Sequence, residues 1–132
     1  RPRASVDRTE QARVVERFLD AVNGGDVQAL MDVLAPDMVV MADGGGVVQA
    51  ARHPIKGSRR VANYLTALPR HAPDAVLEAL FFNGSLGARV MIDGAVDTLV
   101  SIVVADGRVT EVYAVRNPHK LAGFGEERRL TR

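Results

Sequence analysis

Phe18–Val40, FLDAVNGGDVQALMDVLAPDMVV, sets two helical patterns on either side of a glycine pair and then passes into a β-rich run. Val15, Phe18, Leu19 and Val22 fall at i, i+3, i+4 and i+7, which predicts a helix with one apolar stripe from Asp7 to Gly24-Gly25. Asp7 with Glu10 three residues on resembles a capping box, and the two glycines supply the stop. Asp26 is placed to cap a second helix, in which Val27, Leu30, Met31 and Leu34 repeat the spacing until Pro36 forbids continuation. The expectation is an αα-hairpin with a Gly-Gly-Asp corner.

Downstream, Met38–Ala42 is rich in β-formers, and Gly44, Gly45 and Gly46 read as a sharp reversal into a return strand through VVQAARHP. Ser58 is a capping residue for a third helix, with Val61, Tyr64, Leu65 and Leu68 on one face and a close near Pro69. After Pro73 the pattern changes to period two. Asn83-Gly84, Asp93-Gly94 and Asp106-Gly107 then separate short apolar runs, the signature of successive hairpins. Strands are expected at Ala75–Phe82, Ala88–Ile92, Thr98–Val104 and Val109–Arg116. The fold class is therefore α+β, with three N-terminal helices packed on a curved, mostly antiparallel sheet. Within Thr98–Val104, Leu99 and Val103 lie on one side and Val100, Ile102 and Val104 on the other, so both faces are apolar and one is open to a partner, including a second copy of the chain.

The 132 residues, 47% hydrophobic and 25% charged, make one domain over 1–132, with a core of 7–121 and a peripheral tail, 122–132. No cysteine is present, which excludes disulfides, thiolate catalysis and zinc–thiolate sites. A formal charge of +1 gives no bulk attraction to nucleic acid or to an acidic membrane. Neither a membrane-spanning apolar run nor a secretory h-region occurs, so a cytoplasmic location is expected. The chain opens RPRASVD and its first methionine is Met31, which reads as a fragment of a longer protein, or a processed or trimmed one.

The element order, opened by Phe18–Val40, resembles the SnoaL-like branch of the nuclear-transport-factor-2-like superfamily, whose fold is a cone of bent sheet around helices. Two motifs narrow the resemblance. DGGG at Asp43–Gly46, and RNPHKL at Arg116–Leu121 after the last strand, are similar to the signatures DGGGK and NPDKL of the C-terminal SnoaL-like domain in a group of bacterial extracytoplasmic-function sigma factors. This chain departs from them at Val47 and His119, each time losing a charged group. The resemblance implies a regulatory domain that contacts the sigma regions upstream in the same chain, and through them RNA polymerase, without touching nucleic acid itself. It makes Asp43, Gly44, Gly45, Gly46, Asn117, Pro118, His119, Lys120 and Leu121 the candidate partner-contact residues.

Catalysis of the ketosteroid isomerase type needs a tyrosine, a protonated carboxyl and an aspartate base inside the cone. Aligned through the first helix, the tyrosine position holds Phe18, which cannot donate a hydrogen bond. The base position falls at Ala42 or Asp43, and no acid lies between Asp97 and Asp106 to serve as the second carboxyl. Asp43 reads more readily as a turn residue whose carboxylate accepts backbone N–H groups. The three glycines precede a strand pattern, so they lack the helix N-terminus of a phosphate loop. His53, His71 and His119 are scattered, and neither a metal nor a cofactor is expected. Phe18, Met41, Tyr64, Met91 and Tyr113 are the candidate wall of the cone, core first and lining for a small apolar ligand second. Arg52, Lys56, Arg59, Arg60 and Arg70 gather around the third helix, and no acid occurs between Asp43 and Asp74.

Overall fold

The computed structural model describes residues 4–43 and 53–117. Among these residues three helices, α1 (Ala4–Gly24), α2 (Val27–Val33) and α3 (Ser58–His71), accompany six strands: β1 (Leu34–Asp43), β2 (Ile55–Lys56), β3 (Ala75–Phe82), β4 (Ser85–Ile92), β5 (Ala95–Ala105) and β6 (Arg108–Arg116). The strands form one sheet in the order β2-β1-β6-β5-β4-β3, antiparallel throughout except for the parallel pair β1 and β6.

The α1–α2 corner is made by local chemistry. Gly25 takes φ 66°. Its N–H donates to Val22 O at 3.1 Å while that of Asp26 reaches Ala21 O at 3.0 Å, a Schellman closure. Asp26 then starts α2, its carboxylate accepting the Ala29 N–H at 3.0 Å. At the other end, α1 begins at Ala4 and not at Asp7, because Ala4-Ser5-Val6 contains no helix breaker. Leu34 is already extended (φ −92°, ψ 140°), so α2 stops a residue earlier than its spacing predicts and Pro36 lies within β1. Proline disfavours helical geometry in the residue before it, which moves the break upstream.

At α3 the N-cap is Gly57, with no side-chain hydrogen bond, and Ser58 is the first helical residue. The helix passes through Pro69 to His71, and Ala72 N–H closes its last turn on Leu68 O at 2.8 Å. The proline forfeits one hydrogen bond without ending the helix. In all three Asn-Gly and Asp-Gly turns both residues have positive φ, from 53° at Asn83 to 79° at Gly84, the twist that two-residue hairpins require. The strands run longer than their apolar runs: β4 starts at Ser85, β5 covers Ala95–Ala105 and β6 starts at Arg108. The return from β1 is seen at β2, paired at Val39 with Lys56 and at Val40 with Ile55. The VVQA segment read as the return strand lies outside the described residues.

The helices cover one face of the sheet. Val40 and Ala42 of β1, Ala88 and Val90 of β4, Val100 and Ile102 of β5, and Val112 and Ala114 of β6 are buried beneath Val15, Phe18, Leu30 and Val61. Register shifts in β1, between Val90 and Met91, and between Val103 and Val104 interrupt the pairing. Such extra residues bend a sheet and raise its twist, as needed for it to wrap around helices.

Candidate functional site

Because β1 runs parallel to β6, Asp43 and Arg116, the first residues of the two sequence motifs, end their strands at the same end of the sheet. Met41 pairs with Tyr113 and Asp43 with Val115, one residue before Arg116 and two before Asn117. Seventy positions apart in sequence, Asp43 and Tyr113 meet on the uncovered face, where the Tyr113 hydroxyl donates to Asp43 Oδ2 at 3.3 Å. Ionising the phenol beside that carboxylate would put two negative charges together, so the Tyr113 pKa is raised, chiefly by Asp43. Ala42, not Asp43, points toward the helices: Ala42 is buried and Asp43 exposed. An inward-facing base at Asp43 is thereby removed.

The other strand end is held by a polar cluster. Across β4 and β5, Val90 pairs with Thr98 and Met91 with Val96, which leaves Asp97 as the extra residue of a bulge. Asp97 is 4% exposed. Its Oδ2 accepts from Thr98 Oγ1 at 2.7 Å, and its Oδ1 lies 3.9 Å from Arg116 Nη2. Asn117 completes the closure by donating from its backbone N–H to Asp97 O at 2.8 Å and from Nδ2 to Val96 O at 2.9 Å. The first residue of the NPHKL segment thus pins the end of β6 to β5 and sets where the chain departs. Asp97 was not among the residues singled out from the sequence. Its signal was an acid between Val96 and Thr98 in an otherwise apolar strand, a position that costs energy unless the carboxylate is hydrogen-bonded.

Gly44, Gly45, Gly46, Pro118, His119, Lys120 and Leu121 lie outside the described residues. The five expected wall residues divide between the faces. Phe18, 1% exposed, and Tyr64 pack into the core. Met41 alternates with buried Val40 and Ala42, Tyr113 with buried Val112 and Ala114, and Met91 follows buried Val90, which puts all three on the face away from the helices. They form no common wall with Phe18. The Tyr64 hydroxyl and Arg116 Nε are buried and have no hydrogen-bond partner among the described residues. Burial raises the Tyr64 pKa. An apolar recess of about 30 Å³ lies among Val22, Leu68, Pro69 and Leu77, enough for one or two waters, and more open hollows of about 330 and 480 Å³ lie along α1. Among the described residues no group of three His, Cys, Asp or Glu side chains is placed to hold a metal, and no helix is long and apolar enough to cross a membrane.

The chain is similar to the extracytoplasmic-function RNA polymerase sigma factor SigJ of Mycobacterium tuberculosis, 28% identical over 120 residues, covering 83% of this chain and 38% of SigJ. The crystal structure of SigJ superposes with TM-score 0.66 at 25% identity, over 92% of this chain and 47% of that one. This chain spans less than half of SigJ. A SnoaL-like protein of Burkholderia thailandensis, of unknown function, matches with TM-score 0.62 at 19% identity over 83% of this chain and 96% of that one. An LEH-like epoxide hydrolase of M. tuberculosis matches with TM-score 0.54 at 22% identity, over 85% and 86% of the two chains. These last two share the fold, and a fold of this kind carries unrelated activities. Residues 15–122, the greater part of the sequence, match the SnoaL-like domain, and the chain belongs to that family.

Proposed function

We propose that this chain is the noncatalytic, regulatory SnoaL-like domain of a bacterial extracytoplasmic-function sigma factor. In this reading it works in the cytoplasm, contacts the sigma regions upstream in its own chain, and through them tunes RNA polymerase, leaving DNA contacts to those regions. The observation that supports the reading is the parallel β1–β6 pair, which sets Asp43 opposite Val115, two residues before Asn117, so that both motifs begin at the same end of the sheet. The similarity to SigJ supports the same assignment.

The interior speaks against isomerase chemistry. Phe18 stands where a hydrogen-bond donor is needed, Ala42 faces inward in place of Asp43, and the buried carboxylate of Asp97 is engaged by Thr98 and Arg116. Promoter-specific transcription by the full-length protein, with and without residues 1–132, tests the reading. Removal of the domain, Asp43→Ala and Asn117→Ala are each expected to change promoter output. Unchanged output in all three overturns it.

A second reading, a small-molecule-binding domain, is favoured by the buried Tyr64 hydroxyl and Arg116 Nε, neither of which has a hydrogen-bond partner among the described residues. Two such polar atoms are costly unless something bonds them. A thermal-shift screen in which Tyr64→Phe abolishes a ligand's stabilisation would support it.

A further inference from the structure

Residues 44–73 hold five of the chain's 17 basic residues and none of its 16 acidic ones, although the whole chain carries only +1. The structure turns this asymmetry into a surface. At 100° per residue, Arg59, Arg60, Asn63, Ala67 and Arg70 fall within an arc of about 100° on α3, opposite the buried Val61, Ala62 and Leu65. The three arginines are exposed, as is Lys56 on the neighbouring β2. None of these four cations forms a hydrogen bond or ion pair among the described residues, whereas Arg89 and Arg116 both find acids. Arg59 and Arg60 also sit in the first turn of α3, where the helix dipole disfavours positive charge. Nothing within the described fold offsets that cost.

We propose that the α3 face with Lys56 is a docking surface for an acidic helical protein surface. The proposal rests on the reading above, and it places that partner in the sigma regions upstream in the same chain. Arg59 and Arg70 are about 16 Å apart along the helix, and between Arg60 and Arg70 the face carries only Asn63 and Ala67. This is a flat strip with cationic ends, on which a helix can lie closely while its carboxylates meet the arginines. Duplex DNA is the poorer fit. Four cations over that span neutralise few phosphates, and the remainder of the chain is net negative, so it would repel the backbone beyond the patch.

Zero-length carbodiimide cross-linking of the full-length protein, read by mass spectrometry, tests the surface directly. Lys56 is one of only two lysines within residues 1–132, so cross-links from the domain's lysines are readily assigned. Amide links from Lys56 to Asp or Glu upstream of Arg1 are expected. Their yield should fall about fivefold in Arg59→Glu/Arg70→Glu, and less in Arg59→Gln/Arg70→Gln, with thermal midpoints little changed, because both side chains are exposed and the helix dipole favours the change at Arg59 while disfavouring that at Arg70. Links confined to residues 1–132, or yields indifferent to charge reversal, overturn the proposal. So does a loss of binding to a mixed-sequence DNA duplex in the charge-reversed variant with cross-links intact. If domain removal alters promoter output while Lys56 finds no upstream carboxylate, the regulatory reading stands and this surface falls. If removal alters nothing, the reading itself has failed.

Discussion

The two faces of the sheet are built from the same strands and obey opposite rules. On the helix-covered face, small and branched residues such as Val40, Ala88, Val100 and Ala114 are sealed under Phe18 and Leu30. On the other, Met41, Met91 and Tyr113 stand among Arg89, Glu78 and the half-exposed Val103, and the contacts are pairwise: an ion pair between Arg89 and Glu78 at 3.2 Å, and a hydrogen bond from Tyr113 to Asp43. Large side chains are found on both sides: Phe18 and Met38 are sealed in the core, while Met41, Met91 and Tyr113 stand on the open face, where Tyr113 meets the first residue of the DGGG motif.

The contrast predicts a gradient of mutational cost. Phe18→Ala should lose about 3–5 kcal/mol, since a fully buried aromatic leaves a cavity, whereas Met41→Ala on the open face should lose under about 1 kcal/mol. Urea denaturation measures both. Equal losses would mean that the open face is itself covered in solution, and a concentration-dependent midpoint would identify a second copy as the cover. Next comes Asp97, whose carboxylate joins the faces at the strand ends. Asp97→Ala leaves the buried Thr98 hydroxyl and the Arg116 guanidinium without their partner, at a cost of about 2–3 kcal/mol. The hydrogen exchange of Asn117 should quicken as well, because its backbone N–H bonds to Asp97 O in the bulge. Intact protection at Asn117 would show that the backbone there holds without the side chain. Glu78→Ala should cost well under 1 kcal/mol, the usual worth of an exposed pair (about 0–1 kcal/mol), and the loss should vanish in high salt.

Much of the fold was legible because it is determined locally. The Gly-Gly-Asp corner and the three Asn-Gly and Asp-Gly turns carry their geometry in two or three residues, and Ala75–Phe82 appears as a strand with the bounds its composition gives. What escaped is long-range. Nothing near Leu34 announces that β1 will pair in parallel with β6, over seventy residues later, yet this pairing brings the first residues of the two motifs to one end of the sheet. Period-two alternation says that Met41 and Val40 face opposite ways, but not which way is inward; that is decided by the helices, so three of the five expected wall residues fell outside. Asp97 was hidden for a related reason. Its burial depends on one extra residue of register between β4 and β5, a property of the pairing and not of β5 alone.

The finest test of the two faces uses the chain's only two tyrosines, one on each. Both phenols have pKa values raised above the ordinary 10.0, but for different reasons: Tyr113 because the Asp43 carboxylate is beside it, Tyr64 because burial disfavours its charged form. In each case folding favours the neutral phenol. The resulting stability is fully present below the unfolded pKa near 10.0 and is lost as pH rises through the higher folded value. Asp43→Asn removes the repelling charge, so Tyr113 should ionise at lower pH, nearer its ordinary value, while Tyr64 on the helix side does not move. Ultraviolet titration in Tyr64→Phe and Tyr113→Phe backgrounds reads the phenols separately. A Tyr113 titration indifferent to Asp43→Asn would mean that the β1 and β6 ends do not meet through this pair in solution. A response by Tyr64 would mean that the faces are not electrostatically separate, and that the sheet does not insulate the motif edge from the core.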